Sequence, residues 1–181
     1  RGEGSACLYR FPKPADAAFP VMLECFAREP GHLPLAEGAH LTPVPFEQQV
    51  ESLSAILLDQ GYYGFLHAHT RLVAGVRAVT EPALIALKAR VWLDLTVRRA
   101  ANPGAVDSKH LAKHRNDVLR LSQLLSPDDR IDAEEAIRAD LKRFFRDVLP
   151  EVTALLLRDL GIDEEPEALI ARLRRNFGVE A

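Results

Sequence analysis

A lysine inside an apolar run restricts what this chain can fold into. In residues 84–95 (LIALKARVWLDL), Leu84, Ile85, Leu87, Val91, Trp92 and Leu95 recur at helical spacing, and Lys88 stands among them. A second helical set, Leu111, Val118, Leu121 and Leu125, is interrupted by Lys113-His114-Arg115-Asn116-Asp117, which puts an aspartate in a basic cluster. Lysine and aspartate are seldom fully buried unless paired, because an isolated charge loses its hydration. Each therefore needs a cleft, water or a partner. Lys88 and Asp117 are expected to face one shared cleft.

The boundaries of these helices are written in the flanking residues. Thr80 is placed to cap the first, with Glu81-Pro82 in its opening turn, and Asn102-Pro103-Gly104 ends it. Asp107 or Ser108 caps the second, which stops at Ser126-Pro127. Asp132, with Glu135 three positions later, is a capping-box-like start for a third helix reaching about Val148. Pro150 opens a fourth helix closed by Gly161, and Pro166 opens a fifth closed by Gly178.

Upstream the pattern changes. Residues 6–11 and 19–27 read as two strands separated by a turn at Pro12, Pro14 and Asp16, and residues 71–79 alternate around Gly75 as a last strand or hairpin. Between them lie a Pro- and Gly-rich excursion over residues 29–49 and an apolar run, 52–58, compatible with strand or helix. Residues 59–66 form a short helix or turn whose aromatic face is Tyr62, Tyr63 and Phe65. The fold class is therefore α+β, with a strand-rich part over residues 1–80 and a helical domain over residues 81–181.

Composition narrows the partners. A net charge of -3 gives no global attraction to nucleic acid, so any polyanion must be held by a local basic patch. Arg98-Arg99 and the Arg172, Arg174, Arg175 cluster read as solvated faces that could also touch an RNA backbone. Cys7 and Cys25 sit in apolar strand-like runs and read as reduced core residues. No apolar run approaches the roughly 18 residues of a membrane span, which points to a cytoplasmic protein without membrane contact. The opening Arg1-Gly2-Glu3-Gly4-Ser5 is loop-like and is expected of a cleavage product or the interior of a longer chain.

Four residues are candidates for chemistry: Lys88, Lys113, Asp117 and Glu24. Lys113 and Asp117 are four apart, on one helix face, where they could also form an ordinary surface pair. Glu24 lies in an otherwise apolar strand, so its carboxylate is neutral, paired with Arg10 or Arg28, or bound to a cation. His110 and His114 share the four-residue spacing of two metal ligands, but no third ligand lies near them in sequence.

Taken together, residues 84–95, Asp107-Ser108-Lys109 and residues 113–121 (KHRNDVLRL) resemble the AbiEii/AbiGii toxin family of nucleotidyltransferases. Tyr9-Arg10-Phe11 with Pro14 ahead of Pro20-Val21-Met22-Leu23-Glu24, and residues 52–59 with Tyr62-Tyr63, resemble it too, so the likeness spans about residues 9–125. It implies a DNA polymerase beta-like core, here the remainder of a small mixed sheet, followed by an all-helical C-terminal domain. It also implies transfer of a nucleoside monophosphate from a nucleoside triphosphate to an RNA (such as tRNA) or protein acceptor, with Mg²⁺ as cofactor and an antitoxin protein as possible partner.

On that likeness, Lys88 is the helix lysine that meets the triphosphate, with Lys113 beside it as a nucleotide-binding residue. Asp117 is the catalytic acidic residue of the last motif, and Glu24 is the third carboxylate on the metal. The Gly-Ser turn followed by Asp-x-Asp that holds the metal in such enzymes does not occur in the sequence. Mg²⁺ would need residues outside this chain, which alone is not expected to catalyse transfer. The alternative is a non-catalytic binding or regulatory module of a toxin–antitoxin-like system.

Overall fold

The structure, a computed structural model, describes residues 10–12, 15–16, 18, 22–24, 59–104 and 106–180, with the backbone alone at 10–12 and 22–24. The chain divides into two compact units, Arg1–Leu41 and Thr42–Ala181. In the first, β1 (Arg10–Pro12) pairs antiparallel with β2 (Met22–Glu24), and the register sets Arg10 opposite Glu24. The second strand falls within its expected run, whereas the first extends one residue beyond its own and takes in Pro12, which the sequence places in the turn. In the turn between them the Asp16 carboxylate accepts a hydrogen bond from the Ala18 N–H at 2.8 Å, the local bond that makes aspartate a turn residue. The expected excursion over 29–49 and the apolar run 52–58 lie outside the described residues.

The described part of the second unit opens with α1 (Gln60–Ala68), capped by Asp59, whose Oδ1 accepts from the N–H groups of Gly61 and Tyr62 at 2.9 and 3.1 Å. A hairpin follows, β3 (Thr70–Val73) against β4 (Val76–Val79). Its two-residue turn, Ala74-Gly75, has φ of 49° and 82°, the double positive φ of the turn whose twist matches a hairpin. Glycine takes that conformation freely, whereas Ala74 carries its Cβ into the left-handed region at a cost of about 1 kcal/mol. The alternation seen in the sequence is real but does not face a core: Leu72, Val73 and Val76 are exposed.

Five helices follow: α2 (Glu81–Ala101), α3 (Ser108–Leu121), α4 (Glu135–Val148), α5 (Ala154–Asp159) and α6 (Pro166–Asn176). Two 3₁₀ turns, Ser122–Leu124 and Leu149–Glu151, trail α3 and α4. Among the described residues the architecture is thus α+β and mostly helical, with two separate two-stranded antiparallel sheets. No described helix is long and apolar enough to cross a membrane. Both α1 and the hairpin belong to the same compact unit as the helices that follow them.

The core is built round α2, which buries Ile85, Ala86, Leu87, Ala89, Val91, Trp92, Leu93 and Leu95, residues spread over most of its circumference. A chain of rings runs outward from it. Trp92 meets Phe144 edge-on at 5.3 Å, Phe144 meets Phe145 at 5.6 Å, and Phe145 meets Phe177 at 6.4 Å. These separations are those at which aromatic quadrupoles attract, and the series joins α2 through α4 to the end of α6.

Helix ends agree with the sequence in part. Asp107 caps α3 by accepting from the Lys109 N–H at 2.9 Å, and that bond holds its carboxyl below the usual range. Gly161 and Gly178 take positive φ (74° and 61°) where α5 and α6 close. Thr80 precedes α2 as expected, but its hydroxyl donates to the His69 carbonyl at 2.9 Å instead of capping. The expected capping box of Asp132 and Glu135 does not form. α4 starts at Glu135, whose carboxylate turns to Arg138 at 2.8 Å. Pro150 lies in a 3₁₀ turn, and the fourth helix begins later, where the Thr153 hydroxyl accepts from the Leu156 N–H.

The three C-terminal arginines are not alike. Arg172 is buried, contrary to its expected solvated position. Its guanidinium donates to both carboxylate oxygens of Glu164 (3.1 and 2.8 Å) and to the Ser122 carbonyl (3.0 Å). Four residues on, the Asn176 amide donates to the carbonyls of Ser126 and Asp129, each at 2.9 Å, and the Asn176 carbonyl accepts from the Ile131 N–H at 2.8 Å. Helix α6 thereby satisfies backbone groups of the α3–α4 connection, which would otherwise be costly to bury.

Two outcomes follow from these contacts. Arg172→Ala leaves Glu164 and the Ser122 carbonyl unpartnered and should lower stability by about 3 kcal/mol in urea unfolding, whereas exposed Arg175→Ala should stay within about 0.5 kcal/mol; equal effects would contradict the clamp. Ala74→Asn, which tolerates the left-handed conformation, should slow amide exchange in the β3–β4 ladder by about fivefold, as about 1 kcal/mol of relieved strain requires; faster exchange would contradict the turn assignment.

Candidate functional site at the α2–α3 junction

Lys88 and Asp117 come from different helices and meet. Lys88 leaves α2 beside buried Leu87 and Ala89, and Asp117 leaves α3 beside buried Val118, so packing of the two apolar faces fixes where both Cα atoms stand. The Lys88 Nζ lies 3.0 Å from Asp117 Oδ2, with the two side chains 23% and 26% exposed. Each charge is therefore mostly withdrawn from water yet still touches it. A pair in this setting is stronger than a surface ion pair, and loss of one member strands the other, at about 1–3 kcal/mol. The four-residue pair of Lys113 with Asp117 that the spacing allowed is replaced by this interhelical one: Lys113 is exposed, and Asp117 turns to Lys88.

The remaining candidates do not join this pair. Glu24 has its backbone in β2 of the first unit, opposite Arg10, and its side chain lies outside the described residues. His110 is exposed while His114 is fully buried, so the two imidazoles do not share one open face. Among the described residues no group of three His, Cys, Asp or Glu could hold a metal ion. The Mg²⁺ implied by the resemblance therefore finds one carboxylate here, Asp117, and that one is already committed to an ammonium.

Two polar constellations that sequence spacing did not reveal flank α2 and α3. Arg90 donates to both oxygens of Asp140 at 3.0 and 3.1 Å, and the Tyr62 hydroxyl donates to the same carboxylate at 2.9 Å, tying α1, α2 and α4 together. Burial, and then the charge of Asp140, push the Tyr62 phenol well above its ordinary range, so it stays a neutral donor. Arg115 is largely buried and reaches Glu151 at 2.8 Å, joining α3 to the turn after α4. These partners stand 36 to 78 positions apart in the chain, so no local period announces them.

No family model, no curated protein and no solved structure matches this chain.

The pair is tested by a double-mutant cycle. Asp117→Ala should cost about 1–3 kcal/mol in urea unfolding, Lys88→Met less, and the double variant should recover about 1 kcal/mol relative to the sum; strict additivity would show that the two groups do not interact.

Proposed function

We propose that residues 81–181 carry the helical domain of a nucleotidyltransferase of the toxin type, in which Lys88 and Asp117 work on one nucleoside triphosphate. The observation that carries this reading is that the two residues singled out in the sequence converge at 3.0 Å at a partly open helix junction. A lysine ammonium has three donors, and Asp117 takes one. The others suit phosphate oxygens, to which a compact point charge binds without demanding a fixed fork geometry. Asp117 holds the ammonium in place before the nucleotide arrives and, at the edge of the site, can accept a proton from an acceptor hydroxyl.

The residues described here do not fit a metal by themselves, and no step is assigned to one. In this reading an Asp-x-Asp part from outside this chain, with Glu24 as a further carboxylate, would supply the Mg²⁺ site. The acceptor would be an RNA or a protein, and an antitoxin would be the regulatory partner. The second reading, a non-catalytic binding module, draws on the same geometry, since the Lys88 charge is already offset by Asp117.

The test is transfer of labelled nucleotide to total RNA and protein by the full-length gene product. Lys88→Ala and Asp117→Ala should each lower transfer by about 100-fold, with folding checked by circular dichroism. Undiminished transfer in both variants removes these residues from the site. No transfer by the unmodified protein favours the binding module.

A further inference from the structure

A second feature owes nothing to Lys88 or Asp117. Helices α4 and α6 enclose an open groove of about 580 Å³, lined among the described residues by Arg138, Lys142, Arg143, Arg146 and Arg174 and by the carboxylates of Glu135 and Glu180. The chain as a whole carries a net charge of -3, so this concentration of cations is local and runs against the global balance.

The groove's charges are incompletely answered. Arg138 is bonded to Glu135 at 2.8 Å, while Arg143 and Arg146 share the single carboxylate of Asp147 at 3.5 and 2.7 Å. Among the described residues no carboxylate lies within ion-pair distance of Lys142 or Arg174. The Nε–H of Arg174 is buried and has no hydrogen-bond partner. Lys142 and Arg174 therefore bring positive charge to the groove that no described carboxylate offsets, and an anion is the ligand that such charge favours.

The arrangement selects among anions. Arg138, Lys142 and Arg146 follow one another at four-residue intervals, so they form a stripe along α4 with about 6 Å between successive side chains. A single phosphate, or a phosphorylated side chain, is held by cations that converge on one point. A stripe suits a polymer with a charge on every repeat. Four of the five cations are arginines, whose planar forks match phosphate oxygens. The lining holds no aromatic ring on which a base could stack, and its apolar residues, Ala139 and Val179, offer no deep pocket for a peptide side chain. Contacts to backbone phosphates without base readout remain.

We infer that the α4–α6 groove binds the phosphodiester backbone of a nucleic acid without regard to sequence. The experiment is fluorescence anisotropy of the whole chain with a short labelled RNA duplex of arbitrary sequence, across a salt series. Affinity should fall by about 10²-fold between about 50 and about 200 mM salt, as four or five phosphate contacts dictate. Lys142→Ala with Arg146→Ala, both exposed, should weaken binding and lower the slope of log affinity against log salt by about 2. Arg77→Ala, an exposed cation on β4, should leave both unchanged.

Urea midpoints equal to that of the parent establish that the variants are folded. If the double variant's midpoint shifts, Lys142→Ala alone serves, with an expected fall in slope of about 1. Failure of the parent chain to bind the duplex at low salt overturns the inference, as does an unaltered slope in the groove variants. Binding of polyglutamate as tight as that of RNA also overturns it and assigns the groove to an acidic peptide.

Discussion

A helix that is apolar on nearly every side has to be surrounded, and α2 is. Its buried residues occupy positions from Ala83 to Leu95 with little interruption, so the neighbouring helices pack round it and its polar residues must find exits. Lys88 exits toward Asp117 of α3, Arg90 toward Asp140 of α4, and Asp94 back along the helix to Arg98. Each of these three charges meets an opposite charge. That is the condition under which a nearly all-buried helix tolerates ionic groups, because the lost hydration is replaced by a close counter-ion.

The same constraint accounts for what could be read in the sequence and what could not. Lys88 stood out because one polar residue broke a helical apolar period, and Asp117 because it sat in a basic cluster; each anomaly marked a side chain that needed a partner. Caps and breakers are equally local, so Asp107, Gly161, Pro166 and Gly178 mark real helix ends. Partner identity is not local. Asp117 had Lys113 one turn away and Lys88 on another helix, and only the packing of α2 on α3 decided between them.

Arginine shows the limit most clearly. Arg172, Arg174 and Arg175 are adjacent and chemically identical, yet one is buried in a bidentate clamp, one half-buried in a basic groove and one exposed. Long aliphatic stems let this residue lie along apolar surface while its head finds acceptors elsewhere. Nothing within a few positions of Arg172 names Glu164 and the Ser122 carbonyl as its acceptors. The hairpin shows another side of the same limit: alternation over residues 71–79 around Gly75 marks the two strands, but it does not tell which face is covered, and Leu72 and Val76 point into solvent.

The bonds from Asn176 to Ser126, Asp129 and Ile131 bear on the order of events during synthesis. The carbonyls of the α3–α4 connection leave the ribosome well before the Asn176 amide that will donate to them. Until the last helix emerges they stay hydrated, while α4 already has α2 to pack against through Trp92–Phe144 and Arg90–Asp140. Closing so long a loop carries an entropic cost that grows with its length. A nascent chain halted short of Asn176 would therefore leave the α3–α4 connection without the partners that satisfy it in the finished fold.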